Sequence, residues 1–355
     1  MKHVVLSLAF AAAACIALPS VRNWVVTGLR AVARAAHDTL TGYMHNSGMI
    51  LGAAPMRSTD FRAIVEPILN EAFDGVYDLR KDEWKQIFDE TPGIARAYHE
   101  EPVMFGFGMA PELPDGMPVT YQQGGILFTK RYQYRVYGLA YALTKVLIED
   151  GDHIRIGSIF AKHLAQSLIE TKETLTANIV NRAFNNLFPG GDGVELCSAV
   201  HPLIGQFGSN ILATPAALSQ TSLEQILIQV RKAIDNNGKK IRLSGEKLVI
   251  SPDNIFQGEV LMKSVLRAGT ANNDINPVKS MGALSADPAV ISRMTSSTQW
   301  GVTTDAPNGL QLKMRRKLEK SMEGDFETDS VRYKGTERYD AGWTDWRAFF
   351  STPGA

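Results

Sequence analysis

The chain has 355 residues, 45% of them apolar, which is enough to bury a large core and to form two or more lobes. Lysine plus arginine equals aspartate plus glutamate at 37 each, so the overall charge offers no basic field for nucleic acid and no acidic excess typical of disorder. Two cysteines, Cys15 and Cys197, are too few for a disulfide framework and form no spaced metal-binding set, which favours a reducing compartment.

The first residues resemble an export signal. A basic start precedes an apolar run from Val4 to Leu18, and Ala12–Cys15 is similar to a lipoprotein cleavage box that lacks its usual bulky residue. A hydrophobic N-terminal arm, or an extension upstream of a later start, fits the same pattern. Residues 21–40 predict a basic amphipathic helix or arm, and residues 42–55 predict a linker. No later apolar run reaches the roughly 18 residues that a membrane span needs.

Residues 56–100 are predicted to form an N-terminal helical region. Apolar residues recur at helical spacing from Ser58 to Phe73, and Pro67 inside this pattern predicts a kink or a later start. A short helix is predicted around Trp84, and Pro92 with the following glycine ends it.

Residues 101–137 predict a projecting arm. The first part is rich in proline and glycine, a composition that fits no packed element. Apolar and polar residues then alternate from Ile126 to Val136, which predicts a long strand with one apolar and one solvated face. Together with Val103–Phe107 this predicts a two-stranded hairpin that is too extended to be stable without neighbours.

The dominant predicted element is a helix over residues 152–188. Its apolar residues recur at steps of three and four, while charged residues that include Lys172 and Glu173 occupy the other positions. Asp152 is the predicted N-cap, and Pro189 with the glycines after it is the predicted stop. At 1.5 Å per residue this helix is roughly 50 Å long, so it can act as a spine.

Residues 190–308 predict a compact α+β lobe, because shorter helical and strand patterns alternate there. The predicted elements are a helix over Thr221–Asn237 with Ser222 and Gln225 as a capping box and Gly238 as its stop, a buried strand at Lys247–Ile250, a helix capped by Asp253 that extends to Leu266, and a surface loop at Gly269–Asp287.

The C-terminal segment predicts strands and aromatic anchors. Alternation from Leu310 to Arg315 predicts a strand after the turn at Pro307–Gly309. Four aromatic residues near the terminus are predicted to lie in the core or in an interface: Trp343, Trp346, Phe349 and Phe350.

A basic cluster on that strand has two interpretations. Its members are Lys313, Arg315, Arg316, Lys317 and Lys320. The cluster could contact nucleic acid phosphates. The favoured interpretation is a solvated strand face with ion pairs between subunits, since charges on an alternating strand usually face water.

Catalytic motifs are missing from the sequence, which has no serine elbow, zinc-binding helix, phosphate loop or dinucleotide fingerprint. The single candidate group is Asp192, Cys197, Ser198 and His201. Because triads are generally assembled from distant segments, we expect instead a loop in which Asp192 or Ser198 caps a turn and His201 fixes the chain. The seven histidines lack ligand spacing, so no catalytic, cofactor or metal site and no enzymatic activity are predicted.

Several stretches resemble the major capsid proteins of tailed bacteriophages, which have the HK97-type fold, and in particular the Mu-like major head subunits. The stretches that carry the resemblance are Gly191–Leu203, similar to an Asp-Gly to His-Pro segment, Thr129–Tyr132 and Lys145–Asp150, similar to an arm strand entering the spine, and Glu337–Arg347 with the final Pro353–Ala355, similar to a closing strand. They follow the order of the family over residues 57–355.

The resemblance implies an α+β, HK97-like capsid fold without cofactors. The implied parts are an N-terminal arm at 1–55, the helical region at 56–100, an E-loop at 101–137 that lies over a neighbouring subunit, a peripheral (P) domain at 138–189 with the spine helix, an axial (A) domain at 190–308 and the C-terminal P-domain strands at 309–355. Family members that cross-link covalently use an E-loop lysine. Lys130 is the lysine of this arm, but no cross-link is predicted.

The implied function is a major head protein of the virion, made in the host bacterial cytoplasm, whose hexamers and pentamers enclose double-stranded DNA through non-specific contacts. Portal, scaffold or decoration proteins are possible further partners, and no membrane is expected. Two alternatives remain open at this point. One is an exported lipoprotein or periplasmic binding protein, based on residues 1–20, and the other is an encapsulin-like nanocompartment shell that packages a protein cargo.

Overall fold

The computed structural model describes residues 58–93, 96–266, 274–285, 287–325, 327 and 330–355. The signal-like segment, the basic segment at 21–40 and the linker at 42–55 lie outside the described residues. The chain divides into two compact units, Met1–Phe61 and Arg62–Ala355. The elements below belong to the second unit, apart from the start of the first helix.

Helices and strands both contribute to the structure, so the predicted α+β class is confirmed. The helices are α1 (Ser58–Tyr77), α2 (Lys145–Glu149), α3 (His153–Asn181), α4 (Gln220–Arg231), α5 (Ile255–Lys263) and α6 (Pro277–Ser280), with short 3₁₀ helices at Trp84–Gln86, Pro252–Asn254 and Trp346–Ala348. The strands are β1 (Asp89–Pro92), β2 (Tyr98–Phe105), β3 (Gly125–Gln133), β4 (Arg135–Leu143), β5 (His201–Leu203), β6 (Gln206–Gly208), β7 (Gly245–Ile250), β8 (Ala289–Val290), β9 (Trp300–Thr304), β10 (Leu310–Asp325), β11 (Ser330–Trp343) and β12 (Phe349–Thr352).

Two four-stranded sheets carry most of these strands. The first has the order β1-β10-β11-β4, with β1 parallel to β10 and the other pairs antiparallel. The second has the order β12-β9-β7-β8, with only β7 and β8 parallel. Two further ribbons, β2–β3 and β5–β6, each have two strands. None of the described helices is long and apolar enough to cross a bilayer.

The long helix is present, but it ends earlier than predicted. α3 stops at Asn181 instead of residue 188. The amide of Ala183 bonds to the carbonyl of Val180, and the carbonyl of Ala183 accepts the amide of Cys197 at 2.8 Å. The returning chain therefore takes the carbonyl that a continuing helix would need. Asp152 occupies the N-cap position, although its side chain makes no capping bond.

The buried face of α3 differs from the predicted one. Lys172 and Glu173 are buried, whereas Ile159 and Phe160 are exposed. The Lys172 ammonium lies 2.8 Å from the Glu337 carboxylate on β11 and donates to the Tyr77 hydroxyl of α1 at 2.7 Å. The Glu173 carboxylate accepts the backbone amides of residues 83 and 84 at 2.7 and 3.1 Å. These polar partners replace water, so charged residues can lie against the sheet.

The helical region before the arm also contains a strand. α1 is continuous through Pro67, so the helix does not start later than this proline. The short helix predicted around Trp84 is a 3₁₀ turn. The unpredicted strand β1 follows it and pairs with the first residues of β10, from Asp89 opposite Gln311 to Pro92 opposite Met314.

The predicted arm hairpin is present as β2 and β3, which pair from Tyr98 opposite Gln133 to Phe105 opposite Gly125. The predicted strand to Val136 is interrupted at the buried Tyr134. The interruption has a topological cause, because the chain leaves β2 there and continues as β4, which pairs with β11 instead.

In the second lobe α4 is shorter than predicted. Its capping box is formed by Ser219 and Ser222, not by Ser222 and Gln225. The helix ends at Arg231, six residues before the predicted end, and Gly238 with its φ of 80° lies in the following turn instead of stopping the helix. That turn closes when the Asp235 amide bonds to the Lys239 carbonyl at 2.7 Å.

Several predictions around α5 and α6 are wrong. Asp253 lies inside a 3₁₀ turn instead of capping α5, and the helix ends at Lys263 because Ser264 is extended. Phe256 on this helix is exposed. The described part of the loop predicted at 269–287 contains α6, whose first turn is capped by the Asn276 side chain. The buried strand predicted at Lys247–Ile250 is confirmed as β7.

The C-terminal strands are longer than predicted and separate into the two sheets. β10 continues to Asp325 and has register shifts on both sides of Arg316. β12 pairs with β9, so the last strand joins the second sheet instead of the β10–β11 sheet. All four C-terminal aromatic anchors are buried, which confirms their prediction as core residues. The domain boundaries at 138–189, 190–308 and 309–355 stay predictions.

Candidate functional site

The candidate catalytic group is only partly brought together. His201 Nδ1 lies 2.7 Å from Asp192 Oδ2, and its Nε2 lies 3.2 Å from Asn210 Oδ1, with the ring fully buried. Both ring nitrogens are therefore occupied, and neither is directed at Ser198 or Cys197. Burial raises the pKa of the Cys197 thiol well above its usual range. Neither hydroxyl nor thiol has the activating base that nucleophilic catalysis requires.

Asn210 connects His201 to three other segments. The Asn210 amide nitrogen donates to the carbonyls of Leu196, Trp346 and Phe349, so its Oδ1 is an acceptor. This oxygen accepts the Ser198 amide at 2.8 Å and lies within hydrogen-bonding distance of His201 Nε2.

This buried group is a structural hub. The ring of His201 stacks on Trp346 with centroids 4.3 Å apart and an interplanar angle of 2°. Asp192 also accepts the Val194 amide at 3.2 Å, so the predicted turn-capping role of Asp192 is confirmed. The hub joins the loop after α3 to the last strand. Sequence reasoning missed Asn210, because a single polar residue in a loop gives no periodic signal.

Metal ligands do not converge in the described residues, since no group of three or more histidine, cysteine, aspartate or glutamate side chains there could hold an ion.

The basic cluster is not simply a solvated face. Lys313 is buried and pairs with Glu101 of β2. Lys320 lies 2.6 Å from Asp74 of α1, and Arg316 lies 3.3 Å from Glu319. The prediction of a solvated face is therefore wrong for Lys313, because the arm strand covers it. These three ion pairs form within the chain. Lys317 is exposed, as that prediction required.

The root of the arm is held to the first sheet by the pair of Glu101 and Lys313. Burial by itself raises the pKa of the Glu101 carboxyl, but hydrogen bonds from Lys313 and Thr344 and the Lys313 charge outweigh it, so the pKa is lowered. The Tyr132 hydroxyl lies 2.7 Å from Thr344 Oγ1. Because Thr344 donates to the carboxylate, Tyr132 is the donor in this second bond.

Lys130, the arm lysine, packs against the C-terminal anchor. Its ammonium lies 4.8 Å from the centroid of the Trp343 ring. Burial lowers the pKa of Lys130, and the nearby carboxylates of Asp340 and Asp192 oppose that shift. In this chain Lys130 therefore helps to hold the arm against β11.

A turn in the second lobe also contacts the arm. The side-chain amide of Asn236 donates to the Met104 carbonyl at 3.1 Å, and that of Asn237 donates to the Gly106 carbonyl at 2.8 Å. Arg347 in turn donates to Asn236 Oδ1 at 2.9 Å. The end of β2 is thus fixed by two side chains that follow α4.

The arm tip, residues 106–124, is apolar and exposed. Its large apolar side chains are between 53% and 95% exposed: Phe107, Met109, Leu113, Met117, Val119 and Tyr121. The tip is ordered by its own contacts, including the Gly108 amide donating to Gln122 Oε1 at 2.8 Å. A contiguous apolar surface of this kind marks a contact surface for another molecule.

Comparison with known proteins identifies one family. The family model described as phage capsid protein matches residues 129–351. No curated protein sequence matches the chain. Among solved structures, the virus-like particle from Pyrococcus furiosus is 11% identical with a TM-score of 0.47, covering 81% of this chain and 98% of that chain. The capsid of the cyanophage P-SCSP1u is 12% identical with a TM-score of 0.47, over 76% and 86% of the two chains. The procapsid of bacteriophage JBD30 is 13% identical with a TM-score of 0.45, over 83% and 76%.

Proposed function

Because this chain belongs to the phage capsid protein family, we propose that it is the major subunit of the icosahedral shell that encloses phage double-stranded DNA. The observation that carries this proposal is the β2–β3 arm, because the large apolar side chains at its tip are exposed in the single chain. An arm of this kind becomes stable when it lies over a neighbouring subunit, which supports self-assembly into hexamers and pentamers.

Within such a subunit each region has a proposed role. Residues 101–137 are the E-loop, 138–189 and 309–355 form the P domain around α3, and 190–308 form the A domain near the symmetry axes. The balanced charge of the chain supports only weak, non-specific contact with DNA. Portal, scaffold or decoration proteins complete the head, which is made in the host bacterial cytoplasm.

The proposed role is structural and not enzymatic. The family is one of shell proteins, and the one candidate catalytic imidazole has both nitrogens engaged in structural contacts. An exported lipoprotein or binding protein was suggested only by residues 1–20, and membership of the capsid family outweighs that short pattern.

Electron microscopy tests the proposal. The full chain would be expressed alone in a bacterium, passed over a sizing column and viewed in negative stain. We expect closed shells, tubes or capsomer rings, and nuclease-protected DNA inside native particles. Protein cargo without DNA in native particles would instead indicate a nanocompartment. A lipid-bearing monomer that begins at Cys15 would contradict the capsid proposal.

A further inference from the structure

The second lobe has an apolar groove that is open in the single chain. It lies between α4 and α6 and has a volume of about 440 Å³. Leu227 and Ile228 line it from α4, and Val278 and Met281 line it from α6 and the residue that follows α6. Ile228 is 53% exposed and Met281 is 78% exposed, so each wall presents a large apolar side chain to solvent. Apolar surface of this kind is typical of a contact surface for another molecule.

The shape of the groove suits a helix. Four residues at helical spacing line it from α4: Glu224, Leu227, Ile228 and Arg231. They form one stripe of about two turns along that helix. Gly245, Gly282 and Ala283 line the groove without long side chains, which leaves room for the backbone of a partner. An amphipathic helix that places its apolar face in a groove is a recurrent mode of peptide recognition.

The rim of the groove is basic. Arg231 and Lys232, at the C-terminal end of α4, are exposed, and their charged groups have no ion-pair partner among the residues that the structure describes. The carboxylate that lines the groove, Glu224, accepts a hydrogen bond from the Gln220 side chain at 2.9 Å. A partner with negative charge beside its apolar residues is therefore complementary to this rim.

The exposed helix face of the same lobe does not supply that charge. Phe256 and Val260 of α5 are exposed, and Glu259 is the carboxylate of this helix. The Glu259 carboxylate already lies 2.8 Å from the Lys263 ammonium on the same helix. A second copy that presented α5 would thus offer apolar surface without a free carboxylate. A separate protein with acidic residues fits the rim better.

We propose that the groove between α4 and α6 docks a short amphipathic helix of a separate protein. The apolar face of that helix packs against Ile228 and Met281, and acidic residues beside this face meet Arg231 and Lys232. The contact does not depend on the proposed shell, because all the residues that line the groove belong to one chain.

Peptide binding to the dissociated full-length subunit tests the proposal. The probe is a fluorescein-labelled synthetic helix of about four turns, with leucine at positions i, i+3, i+4 and i+7 and glutamate beside them. The control peptide has lysine in place of every glutamate. We expect fluorescence anisotropy to show that the acidic peptide binds about tenfold more tightly than the basic peptide, because the rim is basic.

Two variants locate the peptide. Arg231→Glu with Lys232→Glu reverses the rim charge, so the preference should change to the basic peptide. Met281→Asp places a charge against the apolar face of the helix and should weaken both peptides about tenfold. These three positions are exposed, so the melting temperature should not change. Lys317→Glu with Lys334→Glu, at exposed positions of the first sheet, makes the same change in net charge and should leave binding unchanged.

Other outcomes would overturn the proposal. Equal binding of the two peptides, or no binding of the acidic one, would contradict the basic docking groove. The same loss of binding in the control variant would show that the peptide responds to net charge and not to the groove. Self-association of the dissociated subunit that Met281→Asp abolishes would assign the groove to a second copy. Shell formation by the unaltered protein is decided separately by electron microscopy, so failure of the docking site and failure of the proposed function are distinguishable.

Discussion

The contacts of Asp192 and His201 illustrate what single residues contribute. The sequence identified both side chains as chemically capable, but in the fold they are buried against each other, with His201 Nδ1 2.7 Å from Asp192 Oδ2. The carboxylate and both ring nitrogens are satisfied within the fold. Buried polar groups whose hydrogen bonds are all made within the fold can have a purely structural role. The contact of Asn210 with the second ring nitrogen of His201 favours a structural role over a catalytic one.

Glu101 predicts a pH dependence of stability at the residue scale. Its folded-state pKa is lowered, so it contributes stability above its unfolded pKa of about 4.3, and this contribution is lost as the pH falls through the folded pKa. We expect the difference in unfolding free energy between the unaltered subunit and Glu101→Gln to shrink as the pH is lowered from 6 to 3, roughly the range in which a carboxyl of this type titrates. Urea unfolding of dissociated subunits measures it.

Glu173→Gln is the matched comparison for this experiment. Burial raises the pKa of Glu173, so its contribution is fully present below the unfolded pKa and is lost as the pH rises through the folded pKa. Its pH dependence should therefore have the opposite sign. A difference for Glu101→Gln that stays constant across this pH range would contradict the expectation.

At the scale of elements, glycine positions test the placement of β12. A Cβ on Gly301 of β9 would lie 2.7 Å from the Phe350 carbonyl oxygen and 2.6 Å from the Phe349 ring. The backbone cannot retreat without loosening the β9–β12 pair. We expect Gly301→Ala to destabilise the subunit by about 1–3 kcal/mol, the usual cost of overpacking a core.

Gly324→Ala on β10 is the control for that substitution, because a Cβ there meets no atom within 4 Å. It should leave the unfolding free energy nearly unchanged. Both variants are measured by urea denaturation of the dissociated subunit. Equal effects of the two substitutions would show that β12 does not pack on β9 as described.

Element boundaries were the least predictable feature at this scale. α3 and α4 both end before their apolar patterns do, since the chain folds back after each helix and bonds to a carbonyl just beyond the helix end, Cys197 to Ala183 and Ile241 to Ala233. Ala183 and Ala233, in the turns that follow, are buried in the same cores as the two helices. Periodicity therefore overestimates helix length where a helix ends inside the protein.

At the scale of the whole molecule, we expect the arm tip to be needed for assembly of particles but not for folding of the subunit. Replacing residues 108–121 with a two-residue Asn-Gly turn removes an exposed apolar tip but leaves the Glu101–Lys313 contact at the root. We expect the melting temperature of the dissociated subunit to stay within about 2 °C, because the tip contributes almost no burial within the chain. Particles should be absent in electron micrographs.

A surface variant of the same tip provides the control for the deletion. Thr120→Ser preserves tip length and apolar content, so particles should form as in the unaltered protein. Particles of normal size from the tip deletion would contradict the role of the arm. A large fall in melting temperature would show that the tip supports its own subunit.

Alone, the sequence determined the α+β class, the long helix, the two-stranded arm, the aromatic core anchors and the resemblance to capsid proteins. These features depend on local periodicity and on the order of motifs along the chain. Only the tertiary structure decided that Lys172 and Glu173 face inward, that His201 pairs with Asp192 and Asn210, and that β12 joins β9. The physical reason is that each of these depends on which distant segment lies opposite, and a polar residue can be buried wherever that segment supplies its hydrogen-bond partner.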